Sequence, residues 1–518
     1  MTLSADAHPH TDFPSDVRGA VLRPGDDRYD AARALYQGRA ADEGPALIAQ
    51  CADEDDVAAV LRYASAHGIP VAVRGGGHGS DGYAMPGGAL VVDLSALKAV
   101  TVDPETRVVR AQPGVLLGEL DAAAQQYGLA VPAGTVSSTG VAGLTLGGGI
   151  GHLMRRFGAT VDNLLACEMV TVDGRRVRAD KTENPELFWA LRGGGGNFGV
   201  VTAFEYRAHP VGPDVVAGQL IFPFDQAADV LAGLPALMAT APRELGLLAA
   251  IAPAPALPTL PPEAHGKPVL VLVPVYSGDP ATAGEVIGPL AALGRPVADL
   301  VATVPWLTAN SMLDAVAPYG KRMNLRGGYL PALSADAVGT LLRHAATAPS
   351  NPGATTVINL WCMGGAISED VAEDATAFSR EGAAWLWEAV SMWDAPEHDP
   401  AYEQSAKHIT EAMRSHALDT GYTNLTDDLG EAWRRGVHGS EAKYRRLREV
   451  KTAWDPRNLL RHNKNISPEN TENIENAWNT GSYAESASGP GSGSGAVVSG
   501  AGDSSAVDAV DAVAADVV

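Results

Sequence analysis

"VAVRGGGHG" (residues 71–79) sets a short apolar strand, an arginine, three glycines and a histidine in one line. Glycine leaves backbone open to close approach by a ligand, and histidine offers a nucleophilic, proton-carrying ring. From these residues alone four readings stay open: a phosphate loop, a metal ligand, a covalent cofactor attachment, or a turn with a histidine nearby. Outward from the loop, residues 46–74 read as a β-α-β unit. "ALIAQ" is a strand, and "DEDDVAAVLRYASAHG" is a helix with acids in its first turn. Val57, Val60, Leu61 and Ala64 share one face of it, and Gly68 stands where a C-cap belongs. "IPVAVR" is the second strand, which delivers the loop. "GGALVVDLSAL" and "RVVRAQPGV" then read as strands and "LLGELDAAAQQYG" as a helix. "ACEMVTVDGRRV" is a hairpin turning at Asp-Gly, and "RGGGGNFGVVTAFEY" is a loop running into a strand.

The chain has 518 residues, 46% hydrophobic and 19% charged, enough for two or three folding units or one large split domain. A net charge of −23 argues against nucleic acid and anionic membranes as partners. Cys51, Cys167 and Cys362 are odd in number and far apart, so they read as small buried hydrophobes and not as disulfide or metal ligands. The first residues lack the order of a signal peptide, and no run approaches the ~18 apolar residues of a membrane span. A cytoplasmic protein is expected, either monomer or homodimer. The small, acidic stretch from Gly481, within 471–518, reads as a disordered tail.

"GHGSDG" (77–82) and "GGGNFG" (194–199) match G-x-G-x-x-G, but a dinucleotide loop of that kind must open a helix. Both run instead toward strands, which argues against a nicotinamide site, and no Walker-type loop occurs. The clusters at 75–79, 147–151 and 193–196 each lie beside a predicted strand end. Their amides fit a diphosphate held by several loops. Near Pro213 the texture changes: "VVAGQLIFPF", "LGLLAAIAPA", "KPVLVLVPVY" and "TTVINLWCMG" read as strands of a second α+β unit over about 214–415. A basic helix stopped by Asp-Pro and an extended segment follow.

"VAVRGGGHGSDGYAMPGGALVVDLSAL", "PAGTVSSTGVAGLTLGGGIGHLMRRFGATVDNLLACEMVTVDG", "NPELFWALRGGGGNFGVVTAFEY", "GYTNL" and "YRRLREVKTAWDPRNLLRHNKNISP" stand in that order. Together they resemble the berberine bridge enzyme-like FAD-linked oxidases of the vanillyl-alcohol oxidase and p-cresol methylhydroxylase superfamily. The bacterial monocovalent members, 6-hydroxynicotine oxidase-like and polyketide-tailoring, look nearest, and "MLDAVAPYGKRMNLRGGYLPALS" is similar to their substrate-domain segment. The resemblance implies an α+β fold. A p-cresol-methylhydroxylase-type FAD-binding domain with two α/β subdomains, its N-terminal part at 1–213 and its C-terminal part at 416–470, would be split by a substrate domain (214–415), an antiparallel sheet covered by helices.

The resemblance also assigns residues. His78 would carry FAD covalently through the 8α-methyl, flanked by Gly75, Gly76, Gly77 and Gly79, with Arg74 holding the loop. The cysteine of a second linkage falls at Val136, and Cys167 is no substitute, so a single attachment is implied. Thr139, beside Ser138, takes the oxygen-gating position; it is open whether it is a valine isostere or a hydroxyl aimed at flavin N5. Gly143, Gly147, Gly148 and Gly149 would pass beneath the flavin, and Asp162 and Asn163 would lie near the ribityl and phosphate chain. Asn197, Gly199, Val200 and Val201 resemble the ADP-binding strand start, and Asn463 and Asn465 the returning C-terminal segment. Tyr422, with Asn424, is a candidate base if a cation such as Lys321 or Arg322 lowers its pKa. In "AAWLWEAVSMW", alternation separates Trp385, Trp387 and Ala389 from Leu386, Glu388 and Val390. Either face could look into the cavity, so Glu388 is a second candidate base; His152 is a third residue that could reach the pocket. Two functions remain open. One is an oxidase moving a hydride from a small natural-product amine or alcohol to flavin N5, with O2 reoxidising the flavin or forming a flavin–oxygen adduct. The other is a flavin-bearing protein that sequesters a small redox-active compound.

Overall fold

A computed structural model describes residues 12–254 and 265–469; the expected tail lies outside these. The first sheet has order β1-β2-β4-β3, from β1 (Ala20–Leu22), β2 (Leu47–Gln50), β3 (Val71–Arg74) and β4 (Leu90–Asp93). β2, β4 and β3 run parallel, and β1 is antiparallel to β2. Helix α1 (Glu54–His67) makes the crossover. It starts because the Asp53 carboxylate accepts from the N–H groups of Asp55 and Asp56, and it stops at left-handed Gly68, φ 65°. Its Val57, Val60, Leu61 and Ala64 are buried in one core with Leu47, Val71, Leu90 and Val92.

The second sheet is antiparallel, with order β5-β6-β9-β7-β8: β5 (Val100–Asp103), β6 (Val108–Ala111), β7 (Leu164–Val170), β8 (Arg176–Asp180) and β9 (Val200–Arg207). β7 and β8 form the Asp-Gly hairpin, with Gly174 at φ 82°. Helices α2 (Leu117–Gln125), α3 (Val141–Gly147) and α4 (Pro185–Leu191) pack around it.

The third sheet is nine-stranded and antiparallel, with order β14-β11-β13-β12-β17-β18-β16 and β10 pairing both β13 and β15. Its members are β10 (Asp214–Ala217), β11 (Leu220–Pro223), β12 (Leu245–Pro253), β13 (Pro268–Tyr276), β14 (Ala298–Asp299), β15 (Ala302–Pro305), β16 (Arg322–Leu330), β17 (Thr355–Cys362) and β18 (Trp385–Trp393). Helices α5 (Ala227–Thr240), α6 (Ala283–Ala291), α7 (Ala335–Thr347) and α8 (Asp399–Met413) bury apolar residues in the same core as one face. Alternation decides which side chains go there. Leu247, Ala249, Ile251, Leu270, Leu272, Ile358 and Leu360 meet the helices, as do Trp385, Trp387 and Ala389. The intervening residues are left to line a cavity.

The last helix, α9 (Glu441–Trp454), returns to the glycine loops. Lys451 and Asp455 at its end are both 0% exposed and pair at 2.7 Å. The Lys451 ammonium also donates to the carbonyls of Asn197 and Leu460, and the Asp455 carboxylate accepts from the N–H groups of Leu459 and Leu460. Substituting Lys451→Met strands a buried carboxylate, so chemical denaturation should show a loss of about 3–5 kcal/mol.

Candidate active site

The glycine clusters converge because they lack side chains at the points of contact. A Cβ on Gly76 would stand 2.4 Å from the Gly140 Cα, and one on Gly140 would stand 2.5 Å from the Gly76 nitrogen. Gly193 comes as close to Phe378, where a Cβ would lie 2.1 Å from the backbone nitrogen. At Gly79, Gly143 and Gly196, by contrast, a Cβ would meet nothing within 4 Å, since these residues face a cavity of about 580 Å³. Among the described residues, no protein acceptor takes the backbone N–H groups of Gly75 through Gly79. Five successive amides left open beside a cavity form a cradle for a ligand rich in acceptors.

His78 lies on the cavity wall, with Nε2 buried and without a partner among the described residues. Burial lowers its pKa to about 4, so the ring is neutral at physiological pH. Gly75, Gly76, Gly77, Thr139, Gly147, Asn197, Gly199, Val200, Val201 and Asn463 also reach the cavity, and so does Val136, which carries no sulfur. Cys167 is buried in the second core, where burial pushes its thiol pKa up. Asn197 clamps its own loop to the C-terminal segment: Nδ2 donates to the Gly194 carbonyl and Oδ1 accepts from the Ile466 N–H. Asn463 Nδ2 donates to the carbonyls of Gly196 and Leu460.

Other expected cofactor contacts stand away from the cavity lining. Asp162 is spent in a buried bidentate pair with Arg380 at 2.5 and 2.7 Å. Asn163 bonds the carbonyls of Phe157 and Ala159 and meets His209 at 2.7 Å. Arg74 stays beneath the loop, donating to the Ala32 carbonyl and pairing with buried Asp93. Ser138 and Asn465 do not line the cavity, and the Asn465 amide donates to Ser467. Gly148 and Gly149 are spacers: a Cβ on the first would strike Phe378 and Tyr422, and one on the second would strike Thr160.

The opposite wall is the free face of the large sheet. Leu248, Ala250, Val271, Val273, Val357 and Val390 make it apolar. Set in it is Glu388, whose face of β18 is the one that looks inward; Trp385 and Trp387 belong to the helix-covered core. Asn359, its register partner on β17, donates to Glu388 Oε1 at 2.8 Å, and the indole of Trp361 donates to the same oxygen at 3.0 Å. No protein group bonds Oε2 among the described residues. Burial raises the Glu388 pKa above the ordinary carboxylate value, while the two donors pull it back.

Tyr422 closes the cavity below. Its hydroxyl accepts from the Gly149 N–H at 2.8 Å and from the Asn424 amide at 3.1 Å. Asn424 also donates to the carbonyls of Leu144 and Gly143, fixing α3. Burial pushes the Tyr422 pKa up to about 12, so the phenol keeps its proton. The expected cations do not reach it. Lys321 pairs with Asp394, and Arg322 is held between Asp42 and Asp399. His152 is buried with its ring 6.3 Å from Trp361 and does not line the cavity. Arg434 and Lys464 do reach the cavity, paired with Asp428 and Asp81. Asn359, Trp361 and Tyr36 escape a motif reading because each lies far in sequence from the glycine loops.

Two family descriptions match this chain: an FAD binding domain over residues 45–180, and berberine and berberine like over 421–467. The (R)-6-hydroxynicotine oxidase of Paenarthrobacter nicotinovorans is 30% identical over 465 residues, 88% of this chain and 98% of the relative. The FAD-linked oxidoreductase hasG of Aspergillus fumigatus is 30% identical over 478 residues, 87% and 97% respectively. Among solved structures, 6-hydroxy-D-nicotine oxidase from Arthrobacter nicotinovorans superposes with a TM-score of 0.79 at 27% identity, covering 88% of this chain and all of that one.

The open amides, the neutral unpartnered imidazole and the apolar far wall fit a flavin dinucleotide. Substituting Gly76→Ala should force the loop off Gly140 at a cost of about 1–3 kcal/mol. The flavin absorbance retained per chain after dialysis should fall accordingly.

Proposed function

Because the chain belongs to the berberine and berberine-like family of FAD-linked oxidoreductases, we propose that it oxidises a small amine or alcohol, with Glu388 as base and His78 as single covalent anchor of FAD. FAD, when bound, supplies the hydride acceptor at N5 and passes electrons to O2. The protein does the rest. Residues 214–415 act as the substrate lobe, whose apolar wall strips water from the substrate and holds its reacting carbon toward the glycine loops. Glu388 takes the proton from the substrate nitrogen or oxygen through Oε2, while Asn359 and Trp361 hold Oε1 in place. Tyr422 keeps its proton and offers it as a hydrogen bond. Thr139, beside Val136 on the cavity, leaves room for O2.

The observation that carries this reading is Glu388: a buried carboxyl, half satisfied, in an otherwise apolar wall. A general base works best with its pKa near the operating pH, and burial moves this one in that direction. A storage protein has no use for it. Anaerobic titration with apolar amines and alcohols should bleach the oxidised flavin band; a compound that only perturbs the band speaks for sequestration. With a compound that bleaches it, Glu388→Gln should slow reduction about 10²–10⁴-fold. The wild-type rate should fall on acidification through the raised Glu388 pKa, because the base must be ionised, and the variant should lose that limb.

A further inference from the structure

Tyr36 belongs to none of the glycine motifs, yet its ring lies flat on the His78 imidazole, with centroids 3.8 Å apart and planes at 12°. Tyr319 meets the same imidazole edge-on at 5.8 Å and 80°, and meets Tyr36 at 5.6 Å and 76°. Both tyrosines also grip the loop. The Tyr36 N–H donates to the Gly77 carbonyl at 3.0 Å, and the Tyr319 hydroxyl donates to the Gly76 carbonyl at 2.8 Å. The two gripping segments are tied together in turn, since the Gly320 N–H donates to the Tyr36 carbonyl and the Gly38 N–H to that of Lys321. Among the described residues the Tyr36 hydroxyl reaches only the Met392 sulfur, at 4.0 Å, so the working part of this side chain is its face.

A histidine preceded by three glycines has few backbone constraints, and its imidazole could occupy several rotamers. Stacking removes that freedom and leaves Nε2 free of partners among the described residues. We propose that Tyr36 is a positioning residue for flavin attachment: by stacking, it fixes the plane in which the His78 imidazole meets the 8α carbon. This rests on His78 being the anchor. In the step, a C–N bond forms between imidazole and the 8α carbon while the imidazole N–H and one 8α C–H bond break. The electron pair of that C–H bond and the two protons reduce the ring system. Dioxygen then takes two electrons and two protons as hydrogen peroxide and restores the oxidised flavin.

The test uses full-length apoprotein incubated with FAD in air, in wild-type, Tyr36→Phe, Tyr36→Leu, Tyr36→Ala and His78→Ala forms. Total bound FAD is read before acid precipitation, and covalent FAD in the pellet afterwards. Tyr36→Phe should attach FAD at the wild-type rate, because it keeps the stacked face. Tyr36→Leu and Tyr36→Ala should bind FAD but attach it about ten- to a hundredfold more slowly, the cost of a misplaced nucleophile. Wild-type attachment rates in both would overturn the inference and leave His78 as anchor; so would loss of all FAD binding in both, which marks a structural role. Absence of pelleted flavin in the wild type, or its persistence in His78→Ala, would instead overturn the anchor itself.

Discussion

Gly76 and Gly140 touch backbone to backbone, and the site depends on that contact. It draws the histidine loop against the start of α3, so that His78, Thr139 and Gly143 face one volume. Neither glycine can gain a methyl group without parting the two segments. Asn424 reinforces the arrangement from the C-terminal side, filling the space over Gly147 that a side chain there would need. Backbone amides thus become the lining of the cavity, and among the described residues they have no protein acceptors, which a folded protein tolerates where a ligand completes them.

The two walls divide the work electrostatically. The loop wall offers amide dipoles and a neutral ring. The sheet wall offers hydrocarbon and a single carboxyl whose ionisation is balanced between burial and two donated hydrogen bonds. Besides Glu388, the charged side chains that reach the cavity, Arg434, Lys464 and Asp81, are all held in ion pairs, Arg434 with Asp428 and Lys464 with Asp81. In such surroundings a small change in hydrogen bonding to Glu388 has a large effect on its pKa.

Local rules made much of this visible in the sequence. The caps of α1, the Asp-Gly hairpin and the glycine loop after β3 are decided by nearby residues, and the α+β fold class follows from long motifs in family order; the 147–151 cluster, expected beside a strand end, instead follows helix α3. Other features depend on partners distant in the chain. Strand β16 hides because two consecutive glycines, Gly327 and Gly328, break its pattern, although Arg322 to Arg326 alternate polar with apolar residues as a strand does. One of these, Gly327, is needed where a Cβ would lie 2.4 Å from the Leu425 carbonyl oxygen. Alternation split β18 into two faces, but only the covering helices decide that the tryptophans go to the core and Glu388 to the cavity. Asp162 has the residue type for a phosphate-chain contact, and Arg380, 218 positions away, claims it. Tyr36 and His78 stack although 42 positions separate them in the chain.

The most direct measurement is the intact mass of the chain after saturation with FAD and denaturation, followed by mapping of the modified peptide. The expected result is a mass increase of one FAD less two hydrogens, borne by the peptide that contains His78. An unmodified mass, or an adduct on any other residue, would contradict it.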